Sequence, residues 1–195
     1  MNKKLGWIIG LLALVLLIGG ASLLYNRMGV DAAPPPVAVP PTETETTEEE
    51  TVEPMAAPDF TVFNSQGDPV QLSDFVGTPV ILNFWASWCS PCKSEMPDFE
   101  AAYQQYGDKI QFMMVNMTDN SQETTESASN FITNSGYTFP VFFDTQLSAA
   151  IAYGVTSIPA TYFVNAEGNL VAYGIGPLNL TALETGIGII TSGAD

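Results

Sequence analysis

The chain of 195 residues contains no histidine, only two cysteines, and five basic residues against 21 acidic ones. Without histidine there is no imidazole to act as a general base, a zinc ligand or a haem ligand. Two cysteines are too few for the disulfide framework of a small secreted domain. A formal charge of −16 is repelled by phosphate backbones, which argues against nucleic-acid binding. The composition therefore excludes several common kinds of site.

One long uncharged segment lies near the N-terminus, over residues 5–24. A helix of that length spans about 30 Å, the thickness of the hydrocarbon core of a bilayer. Lys3 and Lys4 precede it and an acidic stretch follows, so the positive-inside bias keeps the N-terminus in the cytoplasm. We therefore predict a transmembrane signal anchor over residues 1–27 of a cell-membrane protein, with the rest of the chain extracytoplasmic. A signal peptide cleaved near Ala32 is the alternative, although its apolar region is normally about 7 to 15 residues long.

Residues 28–57 have the composition of a disordered linker. They contain the run Pro34-Pro35-Pro36 and a stretch of threonine and glutamate over residues 42–50. Proline stiffens such a chain and like charges extend it, so we interpret the segment as a solvated tether. A docking site for a basic partner is the alternative. The remaining residues, 58–195, are enough for one self-sufficient domain.

Apolar runs alternate with helical patterns across that domain. Residues 80–86 are typical of a strand buried on both faces, and residues 89–106 carry apolar side chains at helical spacing. The first helix is predicted to end at Gly107. Further strands are predicted over residues 111–117, 139–143, 161–164 and 170–173, a surface helix over 123–134, and helices over 147–153 and 178–190. Gly186 and Gly188 weaken the prediction of the last helix. The alternation predicts an α/β layer fold.

The motif with the clearest chemistry is Trp88-Cys89-Ser90-Pro91-Cys92-Lys93, which lies between the buried strand and the first helix. Unpaired amides and the helix dipole favour an anion at a helix N-terminus, so a thiol at Cys89 loses its proton more readily. Pro91 suits the first helical turn, where its missing N–H costs nothing. Cys92 is close enough to attack a mixed disulfide formed at Cys89. The pair can therefore cycle between dithiol and disulfide.

Three other interpretations of the two cysteines stay open. A purely structural disulfide would close a four-residue loop, worth about 2 kcal/mol, which is little for a domain able to fold without it. A zinc site would need two more ligands, and the chain has no histidine and no third cysteine, so we predict no metal site. The two cysteines could also be inert and fall at this spacing by coincidence.

Residues 56–190 resemble the thioredoxin superfamily, and within it the membrane-anchored TlpA/ResA/CcmG group of thiol–disulfide oxidoreductases, whose domain is AhpC/TSA–redoxin-like. The matching segments are residues 57–60, 72–75, 80–92 and 156–161, together with Pro97. The resemblance implies a thioredoxin fold, a central mixed β-sheet flanked by helices. It also implies an N-terminal β-hairpin extension and a β-α insertion between Cys92 and Pro159.

The resemblance also assigns the site residues. It implies a cis-proline at Pro159 that faces the cysteines, and a substrate-binding surface formed by Trp88, Ser90, Pro91, Ile158 and Pro159. Trp85 is expected in the core. Lys93 either stabilises the thiolate or is a solvated surface lysine.

Glu95 is the third predicted catalytic residue, beside Cys89 and Cys92. It lies three residues after Cys92, on the same side of the predicted helix. In ResA-like proteins the equivalent glutamate assists proton movement during thiol exchange. Asn83 stands where ordinary thioredoxins carry a buried aspartate, and an amide cannot take a proton. The alternative is a carboxylate that only stabilises the first helical turn.

The resemblance implies a membrane-tethered reductase of protein disulfides, in which Cys89 is the nucleophile and Cys92 the resolving thiol. No cofactor is implied beyond this redox-active disulfide. The implied partners are protein substrates such as apocytochrome c, as in cytochrome c-type biogenesis, and a membrane electron donor of the CcdA or DsbD type. An oxidase or isomerase of the same fold, or a non-catalytic binding module with a structural disulfide, are the alternatives. Peroxidase activity is disfavoured because Leu82 and Ala86 replace the proline and threonine of the peroxiredoxin motif.

Overall fold

The computed structural model describes residues 55–192, so the predicted anchor and nearly all of the predicted linker lie outside the described residues. Within that range no helix is long and apolar enough to cross a bilayer. The strands are β1 (Thr61–Phe63), β2 (Pro69–Gln71), β3 (Val80–Trp85), β4 (Gln111–Asn116), β5 (Val141–Phe143), β6 (Ala160–Val164) and β7 (Leu170–Ile175). The helices are α1 (Ser90–Tyr106), α2 (Thr125–Ser135), α3 (Ser148–Ala152) and α4 (Leu180–Thr191), with a 3-10 turn at Leu72–Phe75.

The seven strands form one mixed sheet in the order β2-β1-β5-β4-β3-β6-β7. Strand β3 is central, parallel to β4 and antiparallel to β6. All six of its residues are buried, because β3 has strands on both sides and apolar side chains from the helices pack on both faces of the sheet. Trp85 packs on the face that α1 and α4 cover, and Phe84 packs on the face that α3 covers. The active-site segment therefore leaves the sheet from its most deeply buried strand.

The predicted thioredoxin-like α/β fold is confirmed in its main features. Strands β1 and β2 form an antiparallel pair at the N-terminal side of the domain. Pairing with the rest of the sheet already begins at Met55, whose carbonyl accepts a hydrogen bond from the Leu170 amide, three residues before the predicted boundary at Pro58. Helix α1 contains Pro97 and ends at Gly107, as the sequence predicts. Trp85 is fully buried, also as predicted.

The structure corrects the predicted start of α2. The helix begins at Thr125 and not at Glu123, because the Thr124 side chain caps it by accepting a hydrogen bond from the Ser127 amide. Glu123 lies before this cap and is fully buried, although the sequence placed it on a surface helix. The strand predicted over residues 139–143 is also shorter and starts at Val141.

Helix α4 forms in spite of its two glycines, which have different surroundings. A Cβ atom at Gly186 would overlap the ring of Phe163 in β6, whereas a Cβ atom at Gly188 would meet nothing within 4 Å. Helix α4 therefore lies directly against β6 at Gly186. The close packing requires a residue without a side chain at position 186, and the weak helix propensity of glycine is the cost of this contact.

Replacing Gly186 with alanine is expected to destabilise the fold by about 1–3 kcal/mol, because the added methyl group overpacks the contact with Phe163. Gly188→Ala is the matched control and should be neutral or stabilising by up to about 1 kcal/mol, since alanine favours the helix. Urea unfolding followed by tryptophan fluorescence measures both. Equal stability of the two variants would contradict the packing described here.

Candidate active site

Cys89 and Cys92 lie at the first turn of α1 and form a disulfide with Cα atoms 5.3 Å apart. Cys89 is the N-cap residue, and its Sγ accepts a hydrogen bond of 3.1 Å from the Cys92 amide. This amide is one of the N–H groups that a helix leaves unpaired at its start, and it would stabilise a thiolate at Cys89 after reduction. Cys89 retains 4% of its surface in contact with solvent and Cys92 none, so only Cys89 can be approached from outside.

The loop before β6 faces the reactive sulfur. The Ile158–Pro159 peptide bond is cis, as the resemblance implies, and the carbonyl oxygen of Ile158 lies 3.8 Å from the Sγ of Cys89. The Pro159 carbonyl accepts a hydrogen bond from the Gly176 amide, which joins this loop to the end of β7. Ile175, beside Gly176, is 44% exposed and was not predicted as a site residue. In the sequence, Ile175 is only an apolar residue at the end of a strand, which does not distinguish it from a core residue.

A groove of about 390 Å³ opens beside Cys89. It is lined by Trp88, Met117, Asp119, Leu147 and residues 155–158. Trp88 and Ile158, both predicted to bind substrate, lie in this lining, and Trp88 is 48% exposed. Ser90 and Pro91 are exposed at the start of α1, outside the groove. The groove residues from other loops were not predicted, because their positions depend on contacts between distant segments.

Glu95 is buried one helical turn after Cys92. Its Oε1 accepts a hydrogen bond of 2.8 Å from the Asn83 side-chain amide, and its Oε2 accepts one of 2.9 Å from the Leu178 backbone amide. Burial raises the pKa of Glu95 to about 8, because the cost of desolvating the charge outweighs these two hydrogen bonds, which lower it. The negative charge of Asp98 adds a smaller increase in the pKa. In the oxidised protein the carboxyl is therefore largely protonated at neutral pH.

Asn83 connects Glu95 to β6, the strand that follows Pro159. Its side-chain amide also donates a hydrogen bond of 3.0 Å to Thr161 Oγ1 in β6. Its side-chain carbonyl has no hydrogen-bond partner in the part of the chain that the structure describes. Since the Asn83 amide cannot take up a proton, acid–base chemistry in this cluster falls to Glu95.

Glu123 is a buried residue of the site region that the sequence did not predict. Its Oε2 accepts hydrogen bonds from the amide and the hydroxyl of Ser87, at 3.1 and 2.8 Å. Its Oε1 accepts one of 2.9 Å from the side-chain amide of Asn116, at the end of β4. Glu123 thus ties the loop before Cys89 to the central sheet. No local pattern predicts this, because Ser87 is 36 residues away along the chain.

Residues 55–192, which include the disulfide and its surroundings, contain no candidate metal site. In that range no three histidine, cysteine, aspartate or glutamate side chains are arranged to hold a metal ion.

The pKa of Glu95 makes stability depend on pH. It is about 8 in the folded protein against an ordinary value of 4.5, so the folded state holds a proton that the unfolded state releases between these values. The contribution of this proton to the free energy of unfolding is complete below about pH 4.5. It is lost as the pH rises toward 8, by at most about 1.4 kcal/mol per pH unit. Glu95→Gln should lose less stability over that range, as measured by urea unfolding of the oxidised protein at several pH values. Parallel profiles for the two proteins would show that Glu95 does not titrate in this way.

Removal of the Glu123 carboxylate should loosen the loop before Cys89. Glu123→Ala is expected to cost about 2–4 kcal/mol, because it leaves buried donors of Ser87 and Asn116 without an acceptor. Glu126→Ala is the matched control, since Glu126 is exposed in the first turn of α2 and should contribute only a few tenths of a kcal/mol. Urea unfolding compares the two, and equal losses would exclude the buried contacts as the cause.

Comparison with known proteins agrees with this geometry. The AhpC/TSA family model matches residues 55–173. The thiol-disulfide oxidoreductase ResA of Bacillus subtilis (strain 168) is 32% identical over 138 residues, which are 70% of this chain and 75% of ResA.

Two solved structures share the fold. StoA from Bacillus subtilis has a TM-score of 0.59 and 28% identity, over 69% of this chain and 99% of StoA. The pneumococcal exposed lipoprotein thioredoxin Etrx1 from Streptococcus pneumoniae strain TIGR4 has a TM-score of 0.59 and 32% identity, over 66% of this chain and 98% of Etrx1. With its cysteine pair at the start of α1, the chain belongs to the AhpC/TSA family as a thiol–disulfide oxidoreductase of the ResA type.

Proposed function

We propose that this protein is an extracytoplasmic, membrane-tethered reductase of protein disulfides. The observation that carries the proposal is the position of the Cys89 Sγ. It accepts a hydrogen bond from the Cys92 amide and lies 3.8 Å from the carbonyl oxygen of Ile158, which lines an open groove together with Trp88, the residue before Cys89. This arrangement gives Cys89 the stabilised charge of a nucleophile and gives a substrate segment a place to lie. The buried position of Cys92 suits a thiol that reacts only with its neighbour.

The reaction proceeds by two exchanges at sulfur. In the reduced protein the Cys89 thiolate attacks one sulfur of the substrate disulfide, forms a mixed disulfide and releases the other substrate sulfur as a thiolate. Cys92 then loses its proton and attacks the Cys89 sulfur, which releases the second substrate thiolate. Two electrons pass from the cysteine pair to the substrate, and the Cys89–Cys92 disulfide remains.

Glu95 is the proposed acceptor of the Cys92 proton. It lies one turn further along α1, and a pKa of about 8 makes the ionised fraction of this carboxyl nearly as basic as a thiolate, so that it can take the thiol proton and retain it once the disulfide has formed. Desolvation favours this uptake, because the protonated carboxyl is the cheaper form in a buried site. The two hydrogen bonds from Asn83 and Leu178 hold the carboxyl in place.

The location and the partners are proposed from the sequence. The uncharged segment at residues 5–24 would tether the domain to the cell membrane, and the acidic linker would let it reach substrates. The similarity to the pneumococcal exposed lipoprotein thioredoxin Etrx1 supports a function outside the cytoplasm. Apocytochrome c cysteines are the proposed substrates, and a membrane dithiol donor of the CcdA or DsbD type would restore the dithiol.

Trapping of covalent intermediates tests the proposed roles. Cys92→Ser in the full-length protein should accumulate mixed disulfides with substrates in cells, because the resolving thiol is gone. Cys89→Ser is the matched control and should accumulate few, since Cys92 is fully buried. Non-reducing gels followed by mass spectrometry measure the adducts. Equal trapping by the two variants, or none in Cys92→Ser, would refute the assignment of nucleophile and resolving thiol.

The reduction potential separates the reductase from an oxidase of the same fold. A reductase should lie nearer to the thioredoxin value of about −270 mV than to the DsbA value of about −120 mV. Equilibration of the full-length protein with glutathione buffers, read by alkylation of free thiols, gives this potential. A value near that of DsbA would refute the proposed direction of electron flow.

A further inference from the structure

The groove beside Cys89 combines apolar walls with one charged side chain, the carboxylate of Asp119. We propose that it selects positively charged protein segments, with an apolar side chain next to the substrate disulfide and a lysine or arginine near Asp119. This inference rests on the proposed function and names the substrate class that the same site prefers.

The apolar part of the groove lies where the residue next to a substrate cysteine would lie. Trp88 precedes Cys89 in the chain, and Ile158, another lining residue, has its carbonyl oxygen 3.8 Å from the Cys89 Sγ. Met117, Leu147 and Val155 complete the apolar lining. A side chain adjacent to the attacked sulfur therefore meets apolar surface, and its burial favours binding by about 25 cal/mol per Å².

Asp119 carries a fixed negative charge at the groove. Its Oδ1 accepts backbone hydrogen bonds from Ser121, Gln122 and Glu123 at 2.9, 2.9 and 2.8 Å. Its Oδ2 accepts a hydrogen bond of 3.1 Å from the Ser121 hydroxyl. These donors lower the pKa of the Asp119 carboxyl, so the group stays ionised at neutral pH. Since Asp119 is also exposed, its charge is available to a bound segment.

The rest of the charge distribution favours the same class of partner. Within residues 55–192 the only basic residues are Lys93 and Lys109, and neither lines the groove. The whole chain has 21 acidic residues and five basic ones. A field of this sign attracts cationic segments and slows the approach of anionic ones.

One wall of the groove has an unusual backbone conformation. Leu147 has a φ of 54°, a left-handed conformation that is unfavourable for a branched side chain. The buried Asp144 carboxyl group supports this turn, since it accepts a hydrogen bond of 2.9 Å from the Ala150 amide. The turn places the Leu147 side chain in the lining of the groove, where it adds apolar surface for a bound segment.

Reduction of charged model substrates tests the inference. Three synthetic peptides would carry the same disulfide and the same apolar neighbour, with lysine, glutamine or glutamate at the flanking positions. The reduced full-length protein should reduce the lysine peptide about fivefold faster than the glutamine peptide at low salt, the ratio expected from one charge pair near a wet surface, and the glutamate peptide more slowly still, because that pair is repulsive. The ratio should approach one at high salt, because exposed charges are then screened.

Asp119→Asn removes the charge and retains an oxygen that can accept the three backbone hydrogen bonds. It should lower the lysine-to-glutamate ratio severalfold, the remaining preference being due to the net negative charge of the chain, whereas Glu167→Gln, the matched control in the exposed β6–β7 turn, should leave the ratio unchanged. Wild-type protein and Glu167→Gln should reduce the glutamine peptide at similar rates, and the rates of each protein are divided by its own rate on that peptide. Equal rates of wild-type protein on the lysine and glutamate peptides, or an unchanged ratio in Asp119→Asn, would overturn the inference. Failure to reduce even the glutamine peptide would instead refute the proposed function.

Discussion

The chemistry of this molecule depends on one hydrogen bond, from the Cys92 amide to the Sγ of Cys89. The amides of a first helical turn have no partner within the helix, and a serine, threonine or aspartate oxygen usually satisfies one of them. Here a sulfur atom takes that place. The sulfur atom that caps the N-terminus of α1 is therefore also the atom that attacks a disulfide. Because β3 is buried over its whole length, the point at which α1 begins is fixed by the core of the domain.

A second constraint comes from the buried contacts behind the disulfide. The Asn83 amide bridges Glu95 on α1 and Thr161 on β6, and the Leu178 amide reaches the other carboxyl oxygen of Glu95. These bonds join the helix that carries the cysteines to the strand that follows the cis-proline. A proton moving onto or off Glu95 therefore changes the charge at the point where both halves of the site meet. Local structure and proton uptake are coupled through the same few atoms.

The sequence predicts those features of the site that depend on short spacing. Examples are the motif from Trp88 to Lys93, the helix that follows it and the position of Glu95. Each of them is defined by residues that lie a few positions apart in the chain. Glu123 was predicted wrongly as part of a surface helix, because its partners Ser87 and Asn116 come together only in the folded sheet. Gly186 likewise reads as a weak helix position until the ring of Phe163 is seen against it. Sequence patterns thus predict elements and motifs, while contacts between distant segments appear only in the structure.

The loop before Cys89 is held at both ends, and this links recognition to reaction. Glu123 holds Ser87 on one side, and the Cys92 amide holds the Cys89 sulfur on the other. Only Trp88 lies between these two points, and its exposed ring forms a wall of the groove. Trp88 is next to Cys89 in the chain, and Ile158, on the same groove, has its carbonyl oxygen 3.8 Å from the Cys89 sulfur. The apolar surface and the reactive sulfur are therefore positioned by the same short loop.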